Sequence, residues 1–207
     1  MIGIVDYGVG NLFSIARSLE YLAIERVISN DWHVLENCDQ ILLPGVGAFA
    51  DAMQHLRDAK LVEAIQQLAN QGKPLLGICL GMQLLFEESQ EFGRHQGLGL
   101  IGGKVVSMKE TFKQKQHDLK VPHIGWNALD LKKDSPLIHP LQSKDQVYYV
   151  HSFYATDCKE HIVATSTYGI EVPGIVQNKN IFGAQFHPEK SGQVGLKILK
   201  AFSEVTG

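Results

Sequence analysis

Short apolar runs alternate with amphipathic stretches through the first half of the chain. Ile2-Gly3-Ile4-Val5, Val27-Ile28 and Gln40-Ile41-Leu42-Leu43 read as strands, and Asn11 is placed to cap a helix running to Leu22. Leu61, Ala64, Ile65, Leu68 and Ala69 then recur at i, i+3, i+4, i+7 and i+8, the stripe of a helix with one buried face, which Gly72 terminates. Next, Lys73-Pro74-Leu75-Leu76 leads into Gly77-Ile78-Cys79-Leu80-Gly81, a buried strand that stops at a cysteine and turns at once into a helix reaching Phe86. Alternation of this kind predicts an α/β fold: an open, mostly parallel twisted sheet flanked by helices.

After residue 100 the pattern changes to shorter runs at Lys104-Val105-Val106, Gln146 to Val150, Ile162 to Thr165 and Ile181 to Gln185. These predict antiparallel strands appended to the sheet as hairpins. A closing helix from Gly192 to Val205 carries Ile198, Leu199 and Phe202 on one face. No repeat, linker or low-complexity segment interrupts the chain, so residues 1–207 are expected to form a single domain.

Composition narrows the functional classes. A hydrophobic fraction of 44% over 207 residues is enough for a core without disulfides or a structural metal. The net charge is −3, and the lysines between Lys104 and Lys120 are interleaved with acidic residues, which argues against a nucleic-acid-binding face. No apolar stretch approaches the roughly 20 residues that cross a bilayer, so no membrane association is expected. Cys38, Cys79 and Cys158 form neither an even set nor a close pair, and the start Met-Ile-Gly-Ile-Val-Asp has no charged leader region; a reduced, cytoplasmic setting is expected. The nine histidines show no paired ligand spacing, so no metal is expected. Asp6-Tyr7-Gly8-Val9-Gly10-Asn11 is similar to a dinucleotide loop, but Phe13 stands where that motif needs its third glycine, and no cofactor is expected.

The chemistry centres on Cys79. A residue at a sharp strand-to-helix turn needs small neighbours, here Gly77 and Gly81, because backbone segments approach closely there. Such a position exposes the thiol to the positive end of the helix, which favours the nucleophilic thiolate. A cysteine attacking an acyl carbon also needs a base, a group that orients the base, and donors for the oxyanion. His187 leaves the end of a predicted strand in Gln185-Phe186-His187-Pro188-Glu189, with Pro188 stiffening the turn and Glu189 near enough to hold the imidazole. Pro44-Gly45-Val46-Gly47 follows the third strand, and its N–H groups, with that of Leu80, suit a developing negative charge.

The elbow Gly77 to Gln83 and the segment Phe186-His187-Pro188-Glu189 together resemble the class I glutamine amidotransferases, an α/β family with a Cys-His-Glu triad. Within that class, Asp6 to Ser14, Pro44 to Phe49, Val121 to Asn127 and Tyr149 to Phe153 are similar to segments of the glutaminase-subunit family of imidazole glycerol phosphate synthases. The resemblance covers residues 6 to 191, with no departure at a triad position. It implies hydrolysis of glutamine through a glutamyl thioester on Cys79, with His187 as acid and base and Glu189 orienting it. It further implies an oxyanion hole from the N–H groups of Val46 and Leu80, and glutamine held by Gly45, Gly47 and Gln83, with Lys190 and Ser191 close by. The implied partner is a barrel-shaped cyclase subunit in a heterodimer, which converts the ammonia and a ribonucleotide into imidazole glycerol phosphate and an aminoimidazole carboxamide ribonucleotide. By the same resemblance Asn11, Arg17, Trp126 and Asn127 face that partner, and its docking gates glutamine hydrolysis. The alternatives are the glutaminase subunit of another ammonia-transferring synthase, such as pyridoxal phosphate synthase, a peptidase sharing the elbow, and a binding module without catalysis.

Overall fold

The computed structural model describes residues 1–207. The first half runs β1 (Ile2–Val5), α1 (Leu12–Tyr21), β2 (Arg26–Ser29), α2 (Trp32–Glu36), β3 (Gln40–Gly45), α3 (Phe49–Asp58), α4 (Val62–Asn70), β4 (Leu75–Cys79) and α5 (Leu80–Leu84). The second half adds β5 (Phe86–Ser89), β6 (His95–Gln96), β7 (Ile101–Ser107), α6 (Met108–Lys115), β8 (His123–Ala128), β9 (Asp130–Leu131), β10 (Gln146–His151), β11 (Phe153–Thr156), β12 (Ile162–Tyr168), β13 (Ile170–Asn178), β14 (Ile181–Ala184) and α7 (Gly192–Ser203). An eight-stranded sheet in the order β2-β1-β3-β4-β14-β13-β12-β9 forms the centre. Its strands are parallel from β2 to β14 and antiparallel beyond. Smaller sheets, β10-β8 and β11-β7-β5-β6, flank it.

Strand alternation sorts the apolar side chains between the faces of the sheet. Val5, Ile41, Leu43 and Leu75 join one core cluster with Leu56, Ile65 and Leu68 from α3 and α4. Ile2, Ile4, Leu42, Leu76 and Ile78 join the other with Ile15 and Leu19 of α1 and Ile198, Leu199 and Phe202 of α7. The helices expected from their stripes, α4 and α7, are thus present with the expected buried faces, and Asn11 accepts the Ser14 N–H as the cap of α1.

Three expectations about local structure are corrected. The run at Ile181 is not a peripheral hairpin strand; β14 lies beside β4 in parallel, with Ala184 opposite Ile78, and makes an antiparallel pair only with β13. Pro44 and Gly45 are not loop residues, because they pair with Ile78 and Cys79 at the end of β3. The helix after Cys79 ends at Leu84, since Phe86 is drawn into β5, where it pairs with Ile101.

The β8-β10 hairpin is joined to the core by two buried histidines. His123 stacks between Tyr149 and Tyr168, with ring centroids 4.6 and 4.1 Å away. Its Nδ1 meets His151 Nε2 at 3.0 Å, and His151 Nδ1 meets the Phe153 carbonyl at 2.8 Å. A carbonyl only accepts, so His151 carries its proton on Nδ1, and its Nε2 accepts from His123 Nδ1–H. His123 Nε2 then accepts from the Asn127 amide at 3.3 Å. Both rings are therefore neutral. Burial pushes the His123 pKa down to about 4. Burial, followed by repulsion from His123 and His187, takes His151 down to about 3 against the opposing effect of the Phe153 carbonyl.

Two predictions follow from this packing. An ideal Cβ on Gly81 falls 1.9 Å from the Leu43 carbonyl oxygen, so Gly81→Ala is expected to cost about 3 kcal/mol or more in chemical denaturation. Gly102→Ala, whose Cβ meets only His161 at 3.6 Å, serves as the near-neutral comparison. Second, in the unfolded chain His123 and His151 protonate near pH 6.5, whereas the folded chain resists this until about 4 and 3. Their contribution to stability is full above about pH 6.5 and is lost as pH falls toward those values. Urea midpoints between about pH 7 and about pH 5 should decline accordingly, and His123→Gln should flatten the slope; an unchanged slope would assign the acid sensitivity to other groups.

Candidate active site

β4 and β14 lie side by side and parallel, so the residues that follow them emerge at the same edge of the sheet. Cys79 is the last residue of β4, and His187 comes three residues after the end of β14. This edge, at the carboxyl ends of the strands, is where open α/β sheets bind ligands. Cys79 has φ +56° and ψ −112°, a strained conformation for a non-glycine residue. The surrounding backbone holds it there: Gly45 pairs with Cys79 across the sheet, and Gly81 packs against Leu43 and Pro44 with no room for a side chain.

His187 is 3% exposed. Its N–H donates to the Tyr148 carbonyl at 3.0 Å. Ser191 Oγ donates to the His187 carbonyl at 2.7 Å and accepts the Tyr148 N–H at 3.0 Å, locking the turn against β10. The imidazole Nδ1 lies 2.8 Å from Glu189 Oε1, which leaves Nε2 for the thiol of Cys79. Burial alone would depress the His187 pKa, but the neighbouring Cys79 and the hydrogen-bonded Glu189 outweigh it and hold the pKa at about 9. The imidazolium is the dominant form at neutral pH. Glu189 is buried, and its Oε2 has no hydrogen-bond partner.

These groups open onto a cavity of about 390 Å³ bordered by Val46, Gly47, Cys79, Leu80, Gln83, Glu91, Pro122, Val150, His151, Ser152, Phe153, His187 and Lys190. Gly47 has φ +95° with no atom within 4 Å of an added Cβ, and the Val46 N–H makes no hydrogen bond within the protein. The cavity thus brings together Cys79, His187, Leu80, Val46, Gly47 and Gln83. Gly45 stays behind it in the sheet, and Ser191 is engaged in fixing the turn. Gln83 is bound on one side only. Its Nε2 donates to the Phe153 carbonyl and to Gln185 Oε1, each at 3.0 Å.

Glu91 and His151 also border the cavity without having been marked as site residues. Glu91 is a nearly buried carboxylate whose Oε2 accepts the Phe49 N–H. In the sequence it lies in an acidic stretch, Glu87-Glu88-Ser89-Gln90-Glu91, that reads as a solvated strand, and nothing local marks it. His151 is the neutral imidazole described above, and only pairing with β8 distinguishes it from the other histidines.

The residues expected at a partner surface lie on β8 and on or beside α1. Trp126 is 56% exposed and packs edge-on against Tyr148. Arg17 is exposed and lies over the ring of Phe13, itself exposed. Asn127 is half-buried and engaged with His123 and the Thr167 carbonyl, while Asn11 caps α1. No helix is long and apolar enough to cross a membrane.

Comparison with known proteins identifies the family. The chain is 49% identical, over its full length and 96% of the relative's, to imidazole glycerol phosphate synthase subunit HisH of Listeria monocytogenes serotype 4a. It is 50% identical to the protein of the same name in Bacillus licheniformis, with 100% and 97% of the two chains covered. Among solved structures, one described as a glutamine amidotransferase superposes with a TM-score of 0.74 at 16% identity, covering 97% of this chain and 98% of that one. The PurLQS structure from Thermotoga maritima gives 0.73 at 21% identity, with 97% and 96% covered; at these identities the likeness is one of fold. The family model for class-I glutamine amidotransferases matches residues 3–204, and the chain belongs to that family.

Proposed function

We propose that this chain is the glutaminase subunit of an imidazole glycerol phosphate synthase of histidine biosynthesis, acting in the cytoplasm as a single domain, residues 1–207. The observation that carries the reading is the Cys79-His187-Glu189 constellation at adjacent strand ends, in a chain about half identical throughout to subunits of that synthase.

Cys79 Sγ attacks the side-chain amide carbon of glutamine. The tetrahedral oxyanion takes hydrogen bonds from the N–H groups of Val46 and Leu80. His187 Nε2 gives its proton to the departing amine, ammonia leaves, and a glutamyl thioester stays on Cys79. Nε2 then takes a proton from water, hydroxide adds to the thioester, and glutamate is released as the sulfur recovers its electron pair. Glu189 keeps Nδ1 protonated and offsets the imidazolium charge throughout. Glu91 offers a buried negative charge to the α-ammonium of glutamine, the Gly47 backbone borders the substrate, and the free amide oxygen of Gln83 accepts a further donor. Ammonia passes to a cyclase partner docked over Trp126, Asn127, Asn11 and Arg17.

Glutamate release decides the matter, measured for the chain alone and with a cognate cyclase subunit, with and without the cyclase's nucleotide ligand. Weak turnover alone and strong, ligand-dependent turnover in the mixture are expected; ligand-independent turnover by the isolated chain would point to another acceptor enzyme. Cys79→Ala should abolish glutaminase activity, because members of a triad act as a unit. Glu189→Gln should lower kcat by about 10³- to 10⁴-fold, as loss of an orienting carboxylate does elsewhere. In the same variant, an NMR titration should find the His187 pKa well below about 9; a value unmoved by the substitution would remove Glu189 from its assigned role.

A further inference from the structure

Gln185 is wholly buried and does not reach the cavity, yet it flanks Cys79 in the neighbouring strand end. Fixed acceptors determine how its amide is turned. The Phe153 carbonyl can only accept, so the Gln83 atom facing it is the NH₂ group. The same NH₂ lies 3.0 Å from Gln185, which must present Oε1 to Gln83 and aim its own NH₂ the other way. The one acceptor that NH₂ meets is Cys79 Sγ, at 4.0 Å.

A buried amide donor with a sulfur as its sole partner distinguishes between the two forms of that sulfur. A thiol is a weak acceptor, whereas a thiolate is a full negative charge, and hydrogen bonds to the charged form favour it. We propose that Gln185 is a further catalytic residue, whose side-chain amide donates to the Cys79 sulfur whenever that sulfur is anionic, with Gln83 acting as the positioning residue that fixes its orientation. The donor acts at two points in the reaction. It raises the thiolate fraction of the free enzyme alongside His187. It also meets the sulfur when hydroxide adds to the thioester and the C–S bond breaks, because the bonding pair then returns to Sγ. This role rests on the reading of Cys79 as the nucleophile.

The test is the pH profile of Cys79 alkylation by iodoacetamide in the full chain, with the labelled residue located by mass spectrometry, for the parent, Gln185→Glu and Gln185→Met. Glu keeps the size and still accepts from Gln83 but has no NH₂; Met removes the donor without adding charge. Because the lost donor bonds the charged sulfur more strongly than the neutral thiol, the acid limb should move up by roughly half a pH unit or more in Met and further in Glu. Labelling on that limb should slow about threefold or more, and kcat for glutamine should fall more than KM rises. An acid limb that stays in place in both variants while the parent is alkylated would overturn the role of Gln185 alone, since a residue needed only for packing lowers the melting temperature without moving the profile. A parent Cys79 that resists alkylation across the range would overturn the nucleophile assignment as well.

Discussion

The parallel pairing of β4 with β14 is the constraint on which the site depends. These strands are separated by about a hundred residues, and the register that sets Ala184 against Ile78 brings Cys79 and His187 to the same sheet edge. Everything inserted between them, including the β10-β8 and β11-β7-β5-β6 sheets, must leave that register undisturbed. A slip by one residue would turn Phe182 and Ala184 out of their core cluster, so the hydrophobic alternation that stabilises the sheet also aligns the catalytic groups.

Close backbone packing turns that alignment into a strained nucleophile. Ideal Cβ atoms on Gly77 and Gly81 would fall within 2.5 Å or less of backbone atoms, so the elbow is wedged between strands with no slack. Cys79 is held at φ +56° by this wedge, and the cost of order 1–3 kcal/mol is offset by the apolar packing of Ile78, Leu80 and Met82 on either side. The glycines are thus required by space at Gly77 and Gly81 and by conformation at Gly47, which are different physical demands.

That difference explains what could be read from the chain alone. Cys79, His187 and Glu189 were recognisable because each belongs to a short local pattern: small residues around a strand end, or a histidine and carboxylate separated by a proline. α4 and α7 were recognisable from their stripes, and α1 from the capping Asn11. Helix α3 was not anticipated even though Phe49, Ala52, Met53 and Leu56 recur at helical spacing, for its cap position is Ala48, which has no capping side chain, directly after the glycine-rich turn. Glu91, Gln185 and the His123-His151 pair stayed hidden for another reason. Their roles come from contacts with residues 28 to 106 positions away, and a polar residue in a strand looks the same whether it faces water or a buried partner.

The charges around the cavity form a consistent set. Glu189 and the Cys79 sulfur flank one imidazolium at His187, and Glu91 borders the same cavity. A second cation at His151 would compete for the sulfur and repel the first. The hydrogen-bond chain from Asn127 through His123 prevents this, since it occupies His151 Nε2 with a donor and leaves that ring no site for an additional proton. The Phe153 carbonyl is the junction of the arrangement. It accepts from His151 Nδ1 and from Gln83 Nε2, so one backbone oxygen fixes both the neutral imidazole and the amide that orients Gln185. Displacing β11 relative to β10 would loosen both together, because the two hydrogen bonds share that one acceptor.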